Sequence, residues 1–220
     1  MEKSQIAKNL QRVKLQTKEN TTLVVVTKTR TEKEIDEAIS SGATVIGENR
    51  VQEAEQKFVL IQKISSVEKR LIGPLQSNKI NKAVRIFDTI DTVGSVKLAT
   101  RISQSAKRVE KKQRVLLQIN STGSEKKNGF LFEQEEEILE CFGLKNIKVE
   151  GFMTMGPNTE NKKEIEKAFK KTEKLFNKVN KKTNNQMHTL SMGMSGDFYE
   201  AQRCGSNMVR VGTAIFGPRK

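Results

Sequence analysis

Lys28 closes the run Thr22-Leu23-Val24-Val25-Val26-Thr27, and a lysine in that place can act as a nucleophile. Partial desolvation disfavours the ammonium form, lowers its pKa and leaves an amine able to attack a carbonyl. The same residue type also simply marks where a strand meets water, its stem buried and its charge solvated. A second group of chemically useful residues lies far along the chain, at Ser191, Gly193, Ser195, Gly212 and Thr213. Glycines admit close backbone approach and hydroxyls donate hydrogen bonds, as a phosphate site requires, although ordinary turns use the same residue types.

Other chemistries lack their residues. His188 is the only histidine, and the two cysteines, Cys141 and Cys204, stand far apart, so no zinc or haem constellation is available. Neither a G-x-x-x-x-G-K-[ST] segment nor a G-x-G-x-x-G turn after a strand occurs, which removes the usual nucleotide cradles. Gly193-Met194-Ser195-Gly196 falls one residue short of the G-x-S-x-G elbow of a serine hydrolase, and His188 would have to be its sole base. His188 is expected to meet the core or a backbone carbonyl. The methionines at 153, 155, 192 and 194 are expected to pack rather than ligate.

The elements that carry these residues alternate. Three consecutive valines in the first run read as a strand buried on both faces, as in a parallel sheet. A helix over residues 4–18 precedes it, with Ile6, Leu10 and Val13 at helical spacing, and Thr31 with Glu34 forms a capping box for the helix that follows. Further strands are expected at 44–47, 70–73, 86–90, 115–119, 148–152, 188–191 and 208–211, separated by helical stripes, with Asp197 capping a short helix to Arg203. Eight such alternations without a Pro/Gly-rich linker predict a single (β/α)8 TIM barrel over residues 1–220 with an extra N-terminal helix. Only residues 212–220 follow the eighth strand, so the first helix is expected to supply part of the missing outer cover.

On such a barrel the strand-carboxyl ends carry Lys28, Glu48-Asn49, Gly73-Pro74, Asn120, Met155-Gly156, Ser191 to Ser195 and Arg210 to Thr213. Strands seven and eight are where barrels often bind phosphate. A lysine on strand one and a phosphate site on strands seven and eight describe a ligand with a carbonyl and a phosphate, and pyridoxal 5'-phosphate (PLP) fits that description.

The net charge of +14 raises the question of nucleic acid. Its distribution argues against it: lysines alternate with glutamates through every helical stretch, most densely over residues 162–182, and there is one tyrosine and no tryptophan. The cysteine spacing, an N-terminus without an apolar core and the lack of any apolar run near the ~20 residues needed to span a bilayer predict a cytoplasmic protein with no membrane role.

The segments Val26-Thr27-Lys28-Thr29, Gly47-Glu48-Asn49-Arg50-Val51-Gln52-Glu53, Ile72-Gly73-Pro74-Leu75-Gln76-Ser77-Asn78-Lys79, Gly151-Phe152-Met153-Thr154, Leu190-Ser191-Met192-Gly193-Met194-Ser195 and Val209-Arg210-Val211-Gly212-Thr213-Ala214-Ile215-Phe216-Gly217 resemble the YggS/PROSC family of PLP homeostasis proteins. That family looks like the barrel domain of bacterial alanine racemases. The resemblance runs through nearly the whole chain, and the second, third and last segments are its most specific. It implies that Lys28 forms the internal aldimine with PLP, that Ser195, Gly212 and Thr213 hold the phosphate with Ser191 and Met194 nearby, and that Asn49 lies beside the cofactor. It also implies that Arg210 faces the pyridine nitrogen. A guanidinium only donates hydrogen bonds, so that nitrogen would have to be unprotonated, which makes the ring a poor electron sink. The chain departs from the family at Lys69-Arg70-Leu71, where a histidine or bulky aromatic often precedes the third strand, and at Gly94, where an acidic residue is usual.

In the racemases this barrel resembles, a tyrosine from a further carboxyl-terminal domain supplies a second acid/base. Here Tyr199 is the only tyrosine and is expected to pack or lie at the surface. The resulting expectation is a monomeric PLP-binding protein that buffers or delivers the cofactor, with PLP-dependent apo-enzymes as possible recipients, and no catalytic or metal-binding residue. A PLP-dependent amino-acid racemase is the alternative, and a basic nucleic-acid-binding barrel is a second.

Overall fold

Thr31 starts the first helix after a strand, and it does so through the expected capping box: Glu34 N–H donates to its hydroxyl, and its own N–H donates to the Glu34 carboxylate. The same alternation of strand and helix continues to the end of the chain. The structure, a computed structural model, describes residues 4–123 and 128–218. Its strands are β1 (Thr22–Val26), β2 (Val45–Glu48), β3 (Glu68–Leu71), β4 (Thr89–Val93), β5 (Gln113–Ile119), β6 (Ile147–Thr154), β7 (Thr189–Ser191) and β8 (Met208–Val211). All pair in parallel and in sequence order, and β8 returns to β1, closing a barrel.

Around it run α1 (Gln5–Gln16), α2 (Glu32–Ser40), α3 (Val51–Phe58), α4 (Ile80–Ile86), α5 (Val96–Lys107), α6 (Glu135–Glu140), α7 (Lys162–Lys182), α8 (Phe198–Arg203) and α9 (Thr213–Phe216).

Strand limits differ from expectation by two or more residues at four strands: β5 starts two residues early, β6 ends two residues late, and β3 and β4 are shifted. The fourth strand was expected over 86–90, but Ile86 ends α4 and the strand runs Thr89–Val93. The stretch Val84 to Val93 is apolar enough at either period for its boundary to be set by pairing, and Asp88 sets it, exchanging backbone and carboxylate hydrogen bonds with Lys69. The third strand begins two residues before the expected 70–73, at Glu68, because the charges of Glu68 and Arg70 are neutralised inside the sheet.

Side-chain alternation separates two environments. Outward, Leu23 and Val25 of β1 and Val209 and Val211 of β8 pack against Leu10 and Val13 of α1 and Ile215 of α9. Asn9 also donates to the Ile215 carbonyl at 2.9 Å. α9 has only four residues, so α1 covers the β1–β8 sector as anticipated. Leu10 is fully buried there. Leu10→Ala is expected to cost about 2–3 kcal/mol, measured as a lower urea midpoint at unchanged m-value. Inward, Val24, Val45 and Met208 make a small apolar layer. The lumen also holds charge: Arg70 of β3 and Asp91 of β4 form a pair buried among the strands, with Asp91 wholly inaccessible.

Candidate functional site

Arg210 stands opposite Val24 of β1 and is buried. Its Nη1 donates to the carbonyl oxygen and the hydroxyl of Ser191 at 2.9 and 2.8 Å, and its Nη2 donates to the Thr154 carbonyl at 2.8 Å. One guanidinium thus crosses the ends of β6, β7 and β8. Burial pulls its pKa down, opposed by the carboxylates of Asp91 and Asp197, so its charge is balanced at a distance rather than by direct pairing. It remains a group that only donates.

The loop after β7 is a built turn. Met194 N–H donates to Asp197 Oδ1 at 2.6 Å, and the amides of Asp197 and Phe198 both donate to the Met194 carbonyl. Asp197 occupies the position before α8, as expected of a cap, but its side chain is spent on Met194 instead of the helix. Burial pushes its carboxyl up, and the Met194 N–H pulls it back. Gly193 has φ +95°, and a Cβ there would sit 2.7 Å from that of Ala201, so only glycine fits. Its carbonyl accepts the Arg210 N–H at 3.0 Å, which joins this loop to β8. Among the described residues the amides of Ser195 and Gly196 donate to no protein acceptor. They leave two N–H groups beside the Ser195 hydroxyl. After β8, a Cβ on Gly212 would lie 3.2 Å from the Val26 side chain and carbonyl, so the loop that starts α9 at Thr213 lies directly against the end of β1.

Lys28 follows two residues after β1 ends, in a turn, and is half-buried. Lys28 thus sits past the last strand residue, at the carboxyl end of the barrel where the cavity opens. The turn is held from outside: Thr29 N–H donates to Glu53 Oε1 at 2.6 Å. Burial would raise the Glu53 pKa, but hydrogen bonds from Lys57 and from Thr29 outweigh it and hold the carboxyl below 4.5. A depressed folded pKa means stability that is present above the unfolded value and lost as pH falls through the folded one. Wild-type protein is therefore expected to melt above Glu53→Gln at neutral pH, and the two melting temperatures to converge as pH drops below about 4.5, followed by circular dichroism.

A cavity of about 720 Å³ opens at the carboxyl ends of the strands, lined by Asn49, Gly73, Thr92, Asn120, Met194 and Asp197 among others. The barrel thus unites Arg210 with Ser191 by direct hydrogen bonds, Gly212 with the end of β1, and Asn49 with Met194 around one cavity, with Ser195 and Thr213 in the loops before and after β8. Other residues fall elsewhere. His188 is exposed just before β7 rather than in the core, because the chain there is still crossing from α7. Met153 and Met192 are buried as packing residues, but Met155 and Met194 are 47% and 41% exposed at the cavity mouth. Tyr199 is half-exposed and stacks on Phe198 with ring centroids 4.2 Å apart. The lysine-rich α7 spends part of its charge locally, with Lys178 and Lys182 paired to Glu135 and Lys162 to Glu200.

Sequence reasoning overlooked Arg70, Asp91 and the loop-holding role of Asp197. The available signal was a charge set inside an apolar strand run, as in Ile90-Asp91-Thr92-Val93.

The model of the alanine racemase N-terminal domain family matches residues 1–220. The chain is 38% identical over 203 residues to the pyridoxal phosphate homeostasis protein of Haemophilus influenzae, covering 90% of this chain and 84% of that one. It is 36% identical over 225 residues to the protein of the same name from Pasteurella multocida, covering 98% and 95%. Among solved structures, PipY of Synechococcus elongatus PCC7942 with PLP bound superposes with a TM-score of 0.89 at 30% identity, over 96% of this chain and all of that one. Alanine racemase of Clostridium difficile 630 shares the fold at 19% identity, with a TM-score of 0.81 over 97% of this chain and 56% of the racemase. Among the described residues no helix is long and apolar enough to cross a membrane.

Proposed function

The chain belongs to the alanine racemase N-terminal domain family, in the group named pyridoxal phosphate homeostasis proteins, and on that premise we propose that it holds PLP through Lys28 in a cytoplasmic buffering or delivery role. In this reading residues 1–220 act as one barrel domain. The observation that carries it is the adjacency of β1 and β8. It brings the Lys28 turn, Arg210 and the Gly212–Thr213 loop to one side of the barrel mouth, with the β7 loop next to them.

When bound, the cofactor supplies an aldehyde that condenses reversibly with an amine, forming a C=N bond and releasing water without any redox change. The chain's own residues do the rest. Ser195, with its own amide and that of Gly196, and Thr213 beside Gly212 offer donors to the phosphate. Gly193 and Gly212 let the two loops pack closely against α8 and the end of β1, which sets where those donors lie. Ser191 acts through Arg210, which it orients, and Arg210 offers a donor to the ring nitrogen. Asn49 and Met194 line the cavity and would flank the ring.

Arg210 also favours cofactor holding or racemisation over chemically more demanding transformations. A donor-only cation would keep the ring nitrogen unprotonated, which would leave the ring a weak electron sink. The racemase-like fold keeps amino-acid racemisation as a second reading. The carrier reading predicts stoichiometric borohydride-stable labelling at Lys28, located by peptide mapping, with no exchange of amino-acid α-protons into deuterated water. Lys28-dependent exchange would instead establish the racemase. PLP-dependent apo-enzymes are the recipients this reading implies, and their reactivation by the loaded protein in the presence of a scavenger of free PLP tests direct delivery.

A further inference from the structure

We propose that Lys57 is a positioning residue, a buried cationic hub that holds the Thr27–Arg30 turn in the shape that presents Lys28. The inference rests on the assignment of Lys28 as the cofactor amine. Lys57 projects from α3 and is 7% exposed. Its Nζ lies 2.8 Å from Glu48 Oε1, 2.8 Å from Glu53 Oε1, 2.9 Å from the Thr27 carbonyl and 3.1 Å from the Arg30 carbonyl. An ammonium has three N–H groups, so four surrounding oxygens use every donor. Lys57 therefore has no hydrogen left for a ligand, and its charge is fully committed to the turn and the two carboxylates.

The arrangement of those oxygens is what points to positioning. The two carbonyls belong to the residues immediately before Lys28 and immediately after Thr29, so the hub grips the turn on both sides of the amine-bearing residue. The carboxylates complete the grip. Glu48 Oε1 also accepts the Thr27 hydroxyl at 2.8 Å, and Glu53 Oε1 also accepts the Thr29 N–H at 2.6 Å. The turn needs such restraint because Thr29 has φ +62°, in the left-handed region that a β-branched residue rarely adopts. Without the hub, Thr29 has a lower-energy backbone to return to, and Lys28 turns with it. Charge neutralisation of Glu48 and Glu53 alone would not call for a lysine that reaches both backbone carbonyls.

Amide hydrogen exchange on the cofactor-free full chain tests this without relying on PLP. In wild-type protein the Thr29 amide is expected to exchange at least tenfold more slowly than an unprotected loop amide; exchange at the free-loop rate overturns the proposal whatever the variants do. Lys57→Met alone strands a buried carboxylate, so the informative variant is Lys57→Met with Glu48→Gln, which removes both charges together. It is expected to release the amides of residues 29–31 at least tenfold faster and to slow borohydride-trapped labelling of Lys28 at least tenfold. Wild-type exchange and labelling rates in that double variant show a merely structural lysine and overturn the proposal. Absence of any label on Lys28 in wild-type protein overturns the assignment of Lys28, while the exchange rates decide the hub independently.

Discussion

Lys28→Ala is expected to abolish borohydride-stable labelling by PLP and the visible absorbance that accompanies it, leaving the melting temperature nearly unchanged. The two outcomes separate because the turn around Lys28 is built from the Thr27 and Arg30 carbonyls and the Thr29 amide. Alanine supplies the same backbone groups at position 28. Binding by phosphate contacts alone remains, since the β7 and β8 loops are untouched. If the covalent link contributes at least ~3 kcal/mol, affinity falls at least ~100-fold. Equilibrium titration against the wild type measures the fall. Retained stoichiometric labelling in Lys28→Ala would move the cofactor amine to another of the chain's many lysines.

Arg70→Met is expected to be the most destabilising change to the barrel, costing about 3–5 kcal/mol at neutral pH. Arg70 Nε lies 3.1 and 3.0 Å from the two Asp91 oxygens, and Nη2 lies 3.0 Å from Oδ1. Glu68, the other partner of Arg70, keeps Thr89 and Arg114 when Arg70 is lost; Asp91 keeps no hydrogen-bonded cation. Burial already pushes the Asp91 carboxyl up, with Arg70 pulling against it, so removing the guanidinium raises it further.

A raised folded pKa gives stability that is fully present below the unfolded value and lost as pH rises through the folded one. The variant's deficit is therefore expected to grow from acid toward neutral pH. Adding Asp91→Asn should recover much of the loss, because it removes the stranded charge and leaves a neutral methionine beside a neutral amide. Urea unfolding of the two single variants and the double variant at two pH values gives the cycle. A deficit independent of pH, with no recovery in the double variant, would show that Arg70 matters for its packing rather than its charge.

Much of the architecture was legible along the chain because its signals are local. The Thr31–Glu34 capping box, the valine run of β1 and the spacing of Leu10 and Val13 each depend on neighbours within one or two turns. Strand limits were less legible where pairing sets them, as at β3 and β4, since Asp88 and Lys69 meet only after folding. At the site, residue types pointed to Lys28, to the hydroxyl and glycine loops and to Arg210. What Arg210 binds within the protein, Ser191 and Thr154, depends on the closure of β8 beside β7 and on the reach of its side chain to the end of β6.

The sequence alone determined the kind of molecule this is: eight strand–helix alternations, a lysine at the first strand's end and glycine and hydroxyl loops after the seventh and eighth. Only the tertiary structure decided how the charges are spent. Lys57 and Glu48 face each other between β2 and α3, Arg70 and Asp91 meet across neighbouring strands, and Asp197 turns away from its helix to hold Met194. The reason is that a buried charge is tolerated only beside a partner of matching geometry, and that partner is chosen by which side chains the closed barrel brings within about 3 Å, a matter on which sequence separation is silent.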